Sequence, residues 1–168
     1  NVAVGFQALE NPDTENDNVA IGNEALGGPI AGGEFNVAVG NTSLDALTSG
    51  DNNTAIGHAA FSSLTSSSEN LAVGYQTGLA TTTGDYITFV GPNAGLSNTT
   101  GSNNTALGRF AYGGADTESN NLAIGQNALS GSIAGGEYNV AVGNLTLDAL
   151  TSGDFNIAIG HNAGGAMT

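Results

Sequence analysis

The chain has 168 residues, a formal net charge of −14 with Arg109 as its single basic side chain, no cysteine, and a hydrophobic content of 39% carried chiefly by alanine and valine. This balance excludes a phosphate-binding surface as the chain's main business, so nucleic acid is a poor partner, and no stretch reaches the ~20 apolar residues that a membrane span requires. Glycine is abundant, at 27 residues, but proline is scarce and no Gly-X-Y triplet runs through the chain, which excludes collagen.

From the N-terminus onward the phrase NxA[VI]G recurs. Its glycines are Gly5, Gly22, Gly40, Gly57, Gly74, Gly91, Gly108, Gly125, Gly143 and Gly160, always 17 or 18 residues apart. A short fixed period marks a solenoid, in which each unit buries its apolar face only by stacking on the next. The metre is unbroken from 1 to 168, so the chain reads as one repeat array. It starts inside a repeat without an initiator Met or signal peptide, and reads as a fragment of a longer fibre. A longer period is superimposed: IAGGEFNVAVG at 30–40 returns as IAGGEYNVAVG at 133–143, and LDALTSGD at 44–51 returns at 147–154, an offset of 103 residues or six units.

Within a unit, with the phrase glycine as position 0, position −1 is always a branched aliphatic (Val4, Ile21, Val39, Ile56 and onward). Position −3 is mostly β-branched, with Thr54, Thr88 and Thr105 among valines and leucines. Alternate residues share a face of a strand, and this aliphatic face is expected to point into the coil. The opposite face carries Ala at −2 and Asn at −4, each in nine units, broken only by Phe89 and Ile87. Such small residues admit a second backbone, so the alanine face is expected to meet another strand of the coil or another copy of the chain. The asparagines suggest a hydrogen-bonded ladder. After the glycine come two variable residues, a small one, and often Leu (Leu9, Leu26, Leu44, Leu129, Leu147), read as a second short strand or a corner. Gly, Asn, Asp and Ser then supply turns. The predicted fold is all-β, a parallel β-solenoid of ten 17- or 18-residue coils, each of two strands and two turns or of three short sides. At ~4.8 Å per coil it is a rod of about 48 Å.

Chemistry-bearing residues are few. Near the N-terminus NPDTEND places Asp13, Glu15 and Asp17 at alternate positions, and its counterpart places Asp116 and Glu118 in the same frame. Oxygen ligands so spaced suit Ca²⁺, but the EF-hand pattern is absent and a solvated acidic loop is the favoured reading. No other cofactor is implied. Phe35, Tyr86, Tyr138 and Phe155 occupy position −5, read as end-of-strand core packing rather than a carbohydrate-stacking stripe, with Tyr75 and Phe110 as the better exposed aromatics. Glycosylation sequons begin at Asn41, Asn52, Asn98, Asn103 and Asn144, where turn chemistry selects the same letters. His58 and His161 share one phase 103 residues apart, which reads as a repeated exposed position. No Ser–His–Asp constellation stands out, so no catalytic residue is assigned. YITFVGPNAG at 86–95 is the one marked break in the metre, and Asp85 is its only nearby acid.

The phrases NVAIG, NVAVG and NIAIG, each followed by two variable residues and a small one, resemble the head repeats of trimeric autotransporter adhesins. NNTAIG and NNTALG with TTG or TSG turns are similar to repeats of phage tail fibres. The resemblance spans the whole chain and implies a left-handed parallel β-roll or β-helix, three chains side by side, and attachment at a cell or virion surface. The head units of that family are commonly shorter than 17 residues, and no anchor barrel, stalk or neck is recognisable here. The function expected is a non-enzymatic extracellular adhesive or structural fibre module. Its partners are further copies of itself, as a trimer or filament, and a host-surface protein or glycan. A self-assembling filament is the near alternative and a tailspike-like polysaccharide depolymerase the remote one.

Overall fold

A strand needs alternating environments for its side chains, and each NxA[VI]G phrase provides one alternation. In the computed structural model, which describes residues 1–10 and 16–167, each phrase forms one three-residue strand. These are β1 (Val2–Val4), β2 (Val19–Ile21), β3 (Val37–Val39), β4 (Thr54–Ile56), β5 (Leu71–Val73), β6 (Thr88–Val90), β7 (Thr105–Leu107), β8 (Leu122–Ile124), β9 (Val140–Val142) and β10 (Ile157–Ile159). They form one parallel sheet in sequence order, with equivalent residues in register, so that Ala38 lies beside Ala55 and Ala55 beside Ala72. The all-β parallel solenoid is as expected. No second strand follows the glycine among the described residues; positions +1 to +4 are turn, so the coil has one strand and two irregular sides.

The orientation of the sheet is the reverse of the one predicted. The alanines at −2 are fully buried from Ala20 to Ala141, whereas the aliphatics at −1 and −3 are half-exposed or exposed. The coil is too narrow to take two branched side chains per rung from the strand as well as those of its other sides. The interior is filled instead by position +4 (Leu26, Leu44, Phe61, Tyr112, Leu129, Leu147) and by a third column from the far side, Ile30, Leu47, Leu64, Ala115, Ile133 and Leu150. Alanine on the strand leaves them room.

Where the pattern departs from its consensus, one change offsets another. Phe89 replaces the inward alanine in β6, and glycine replaces the +4 leucine at Gly78 and Gly95. A Cβ on Gly95 would lie 2.1 Å from the Phe89 ring, and one on Gly78 2.3 Å from Phe61. The rings of Phe61, Phe89 and Tyr112 follow one another along the axis at 6.3 and 6.2 Å, a separation at which aromatic pairs attract. The extra residue of the 18-residue units is taken up at the exposed Pro29 and Ser132, after which Ala31 and Ala134 rejoin the metre by donating their N–H groups to Thr48 and Thr151.

Backbone bonds between coils continue well outside the strands. The N–H of position 0 donates to the −1 carbonyl of the coil before, as Gly57 to Val39 at 2.8 Å, and that of +4 to the +3 carbonyl of the coil after, as Phe61 to Thr77 at 3.0 Å. The phrase glycines themselves form a column in which no side chain fits: a Cβ on Gly57 would lie 2.1 Å from the carbonyl oxygen of Gly74, and its φ of 139° is one that L-residues avoid.

Three side-chain ladders run along the rod. In the buried one, each Asn Oδ1 at −4 accepts the N–H of the next coil: Asn36 N to Asn18 Oδ1 at 2.8 Å, Asn53 to Asn36 at 2.9 Å, Asn121 to Asn104 at 2.9 Å. The Nδ2 of the same residues donates to a carbonyl of the next coil, as Asn36 to Gly50 and Asn53 to Ser67. Ile87 interrupts this column, and Asn98 supplies the missing donor to Gly101 at 3.1 Å. A second ladder at −6 runs in the opposite sense: Asp51 N donates to Ser68 Oγ, Ser68 N to Asp85 Oδ1, and Asp85 N to Ser102 Oγ. In the third, Thr48, Thr65, Thr82 and Thr99 each donate a hydroxyl to the carbonyl at the same place in the following coil.

Candidate interaction face

Because the alanines face the interior, the aliphatic side of the sheet is left on the surface. Val2, Val4, Ile21, Ile56, Leu107, Ile157 and Ile159 are all exposed, Ile56 to 41% and Leu107 to 47% within the body of the rod. The other members of the two columns are half-exposed, since each is covered only by its neighbours along the axis. Thr54, Thr88 and Thr105 stand on this same outer face.

Two flanking columns extend it. At −5, Phe35, Tyr86, Tyr138 and Phe155 are exposed rather than packed in the core as predicted, Phe155 to 74%. The reason is the same reversal: −5 shares the outward parity of −3 and −1. Tyr138 and Phe155 stack face to face, with centroids 5.1 Å apart and planes at 8°. At +1, Phe6, His58, Tyr75, Arg109 and His161 are exposed, in keeping with the repeated exposed position read for the histidines. His58 lies against Tyr75, its counterpart in the next coil, at 5.6 Å. Phe110, expected to be exposed, is half-buried beneath the Arg109 guanidinium, 4.8 Å from its ring centroid.

The calcium candidates do not converge. Asp13 and Glu15 lie outside the described residues; Asp17 and Asp116 are exposed, and no group of three acidic, histidine or cysteine side chains among the described residues is placed to hold a metal ion. Glu118 turns into the coil, where it is only 3% exposed. Its Oε2 accepts the N–H groups of Asp116 (3.0 Å) and Thr117 (3.1 Å), and its Oε1 that of Gly135 (2.8 Å). Burial raises its pKa, but these N–H donors, Gly135 first, outweigh burial and hold it below the ordinary glutamate value. Its own carbonyl accepts the Tyr112 hydroxyl at 2.7 Å. Glu118 is thus a structural anion that ties a turn to the next coil.

Of the sequon asparagines, Asn98 is fully buried, which removes it as a glycan acceptor in the folded chain. Asn41, Asn52, Asn103 and Asn144 are exposed. Comparison with protein-family models, characterised proteins and solved structures finds no match. The outward aliphatic face therefore carries the functional argument by its own chemistry.

The sequence reading missed the third core column and the role of Glu118. The Leu44 and Leu47 pair in LDALTS held the first signal, because two leucines three apart in a short unit must lie on different sides of the coil. Glu118 gave a weaker one, as an acid at the −7 position where most units have glycine.

Proposed function

We propose that the protein is a non-enzymatic extracellular fibre module that assembles through its outward aliphatic face with further copies of itself, three being the number its phrase resemblance implies. The observation that carries this reading is the exposed aliphatic double column. It runs the length of the rod, roughly 48 Å by 10 Å or on the order of 500 Å², the size at which a contiguous apolar patch commonly marks an interaction site. A partner that covers it evenly must repeat at the same ~4.8 Å step, and another copy of the chain has that step. Packing about a shared axis closes the assembly, because every copy presents the same face inward.

The remaining surface suits attachment or spacing at a cell or virion surface. It is acidic, which keeps long rods apart in solution, and it carries exposed aromatics along the edges of the apolar face. His58 and His161 stand exposed at position +1 beside this face. Electron microscopy of the purified chain tests the reading. Discrete rods wider than one coil, about 50 Å long, are the expected image, and single thin particles at all concentrations contradict it.

A further inference from the structure

Two grooves of the rod occupy equivalent places six coils apart and carry opposite charge. One, of about 230 Å³, is lined by Gln7, Glu10, Glu24, Gly27 and Asp45. The other, of about 400 Å³, lies between positions +2 and +5 of the seventh and eighth coils, beside Leu96 of the sixth. Under the 103-residue offset Gly113 stands where Glu10 does, Asn127 where Glu24 does, and Arg109 where Phe6 does. Two carboxylates are thus removed and the only basic side chain of the chain is placed at the rim. The coil tolerates either charge here, so the fold does not demand the change.

From this we infer that the Arg109 groove binds a carboxylate-bearing sugar. Its volume falls within the roughly 300–1,000 Å³ of small-molecule sites, and no carboxylate lines it. Gly113 leaves the floor open where the acidic groove carries the Glu10 side chain, and Gly114 packs against the Ser130 and Gly131 carbonyls of the next coil. The Phe110 ring holds the Arg109 guanidinium at 4.8 Å, which orders a fork able to pair with a carboxylate through two N–H bonds. Phe110 and Leu96 offer a wall for the C–H face of a pyranose ring, and the Asn127 amide and Ser130 hydroxyl can bond its hydroxyls. On a chain of net charge −14 an anion is repelled elsewhere, so this rim is where an acidic glycan can be told from a neutral one. The inference deepens the adhesive reading and rests on it for its setting, but the two fail separately: mass tests assembly, and titration tests the groove.

Saturation-transfer NMR on the full chain with sodium glucuronate, glucose and sodium acetate as probes decides it. Glucuronate ring protons are expected to receive saturation while glucose and acetate receive at least several-fold less. Arg109→Gln and Gly113→Glu should each weaken glucuronate binding tenfold or more, Arg109→Lys less so, and Glu10→Gln in the acidic groove should leave it unchanged, all with unaltered melting. The inference is overturned by absent glucuronate binding, by binding indifferent to Arg109→Gln, or by an equal response to acetate, which marks a simple anion contact. It is also overturned if Arg109→Gln lowers the oligomer mass, since the guanidinium then serves a contact between copies.

Discussion

Asparagine 53 shows how much a single side chain holds in this fold. Fully buried, it donates to Asn36 Oδ1 and Ser67 O while its own Oδ1 accepts the backbone N–H and the amide of Asn70. Asn53→Ala strands several of these partners away from water, each at about 1–3 kcal/mol, so it should lower unfolding free energy by at least ~2 kcal/mol. Ser66→Ala, at an exposed turn, should stay within about 0.5 kcal/mol. Urea denaturation at one fixed chain concentration gives both values. Glu118 adds a pH dependence. Because its folded pKa is depressed, its contribution is complete above the ordinary glutamate value and is lost as pH falls through the depressed one. Glu118→Gln should cost about 2 kcal/mol at pH 7, since hydrogen bonds to a charged group are the stronger kind, and should flatten the acid limb of the stability curve. Asp45 acts oppositely. Its Oδ1 is buried without a hydrogen-bond partner, and desolvation, with a smaller push from Glu24, raises its pKa. Its contribution is greatest below the ordinary aspartate value and declines as pH rises through the raised one, so Asp45→Asn should stabilise the chain at neutral pH.

Between neighbouring coils the controlling quantity is volume. Where +4 is glycine, a neighbouring side chain fills the space, as Phe61 does over Gly78, Phe89 over Gly95, and Leu147 with Met167 over Gly164. Gly78→Ala therefore meets the Phe61 ring and should destabilise by about 1–3 kcal/mol, the range of overpacking; its φ of +62° is close to the one that Leu26, Leu44 and Leu129 adopt at +4. Phe61→Leu in the same chain should recover part of that loss. Additive losses in the double-mutant cycle would show that the ring does not act on the glycine. The same volume constraint explains what could be read in advance and what could not. Strand positions, parallel register, the asparagine ladder and the exposure of His58 and His161 follow from period and parity alone. Parity separates the two faces of a three-residue strand but does not say which is inside; that depends on the leucine and isoleucine columns of the other sides, which compete for the same narrow interior. Once Leu47 and its equivalents are seen to point inward, alanine must be the core residue of the strand. Val39, Ile56 and the aromatics at −5 are then outside together.

Over the whole molecule, the nine-step stack of in-register coils makes a rod whose alanine side is buried and whose aliphatic side is exposed or half-exposed. In the proposed assembly, acidity separates rods that approach from other directions and the apolar face is where copies meet. Charge placed there should leave each coil intact, because Val73 and Ile124 point away from the core, whereas the same charge at Ala72 enters a fully buried site and should abolish folding. The most direct measurement is the solution mass of the chain by analytical ultracentrifugation, beside that of a Val73→Glu/Ile124→Glu variant. Assembly through this face predicts a stable multiple of 16.5 kDa for the parent chain and a folded species of lower mass for the variant. A parent chain that sediments as a monomer at every concentration, or a variant that keeps the full assembly mass, would contradict it.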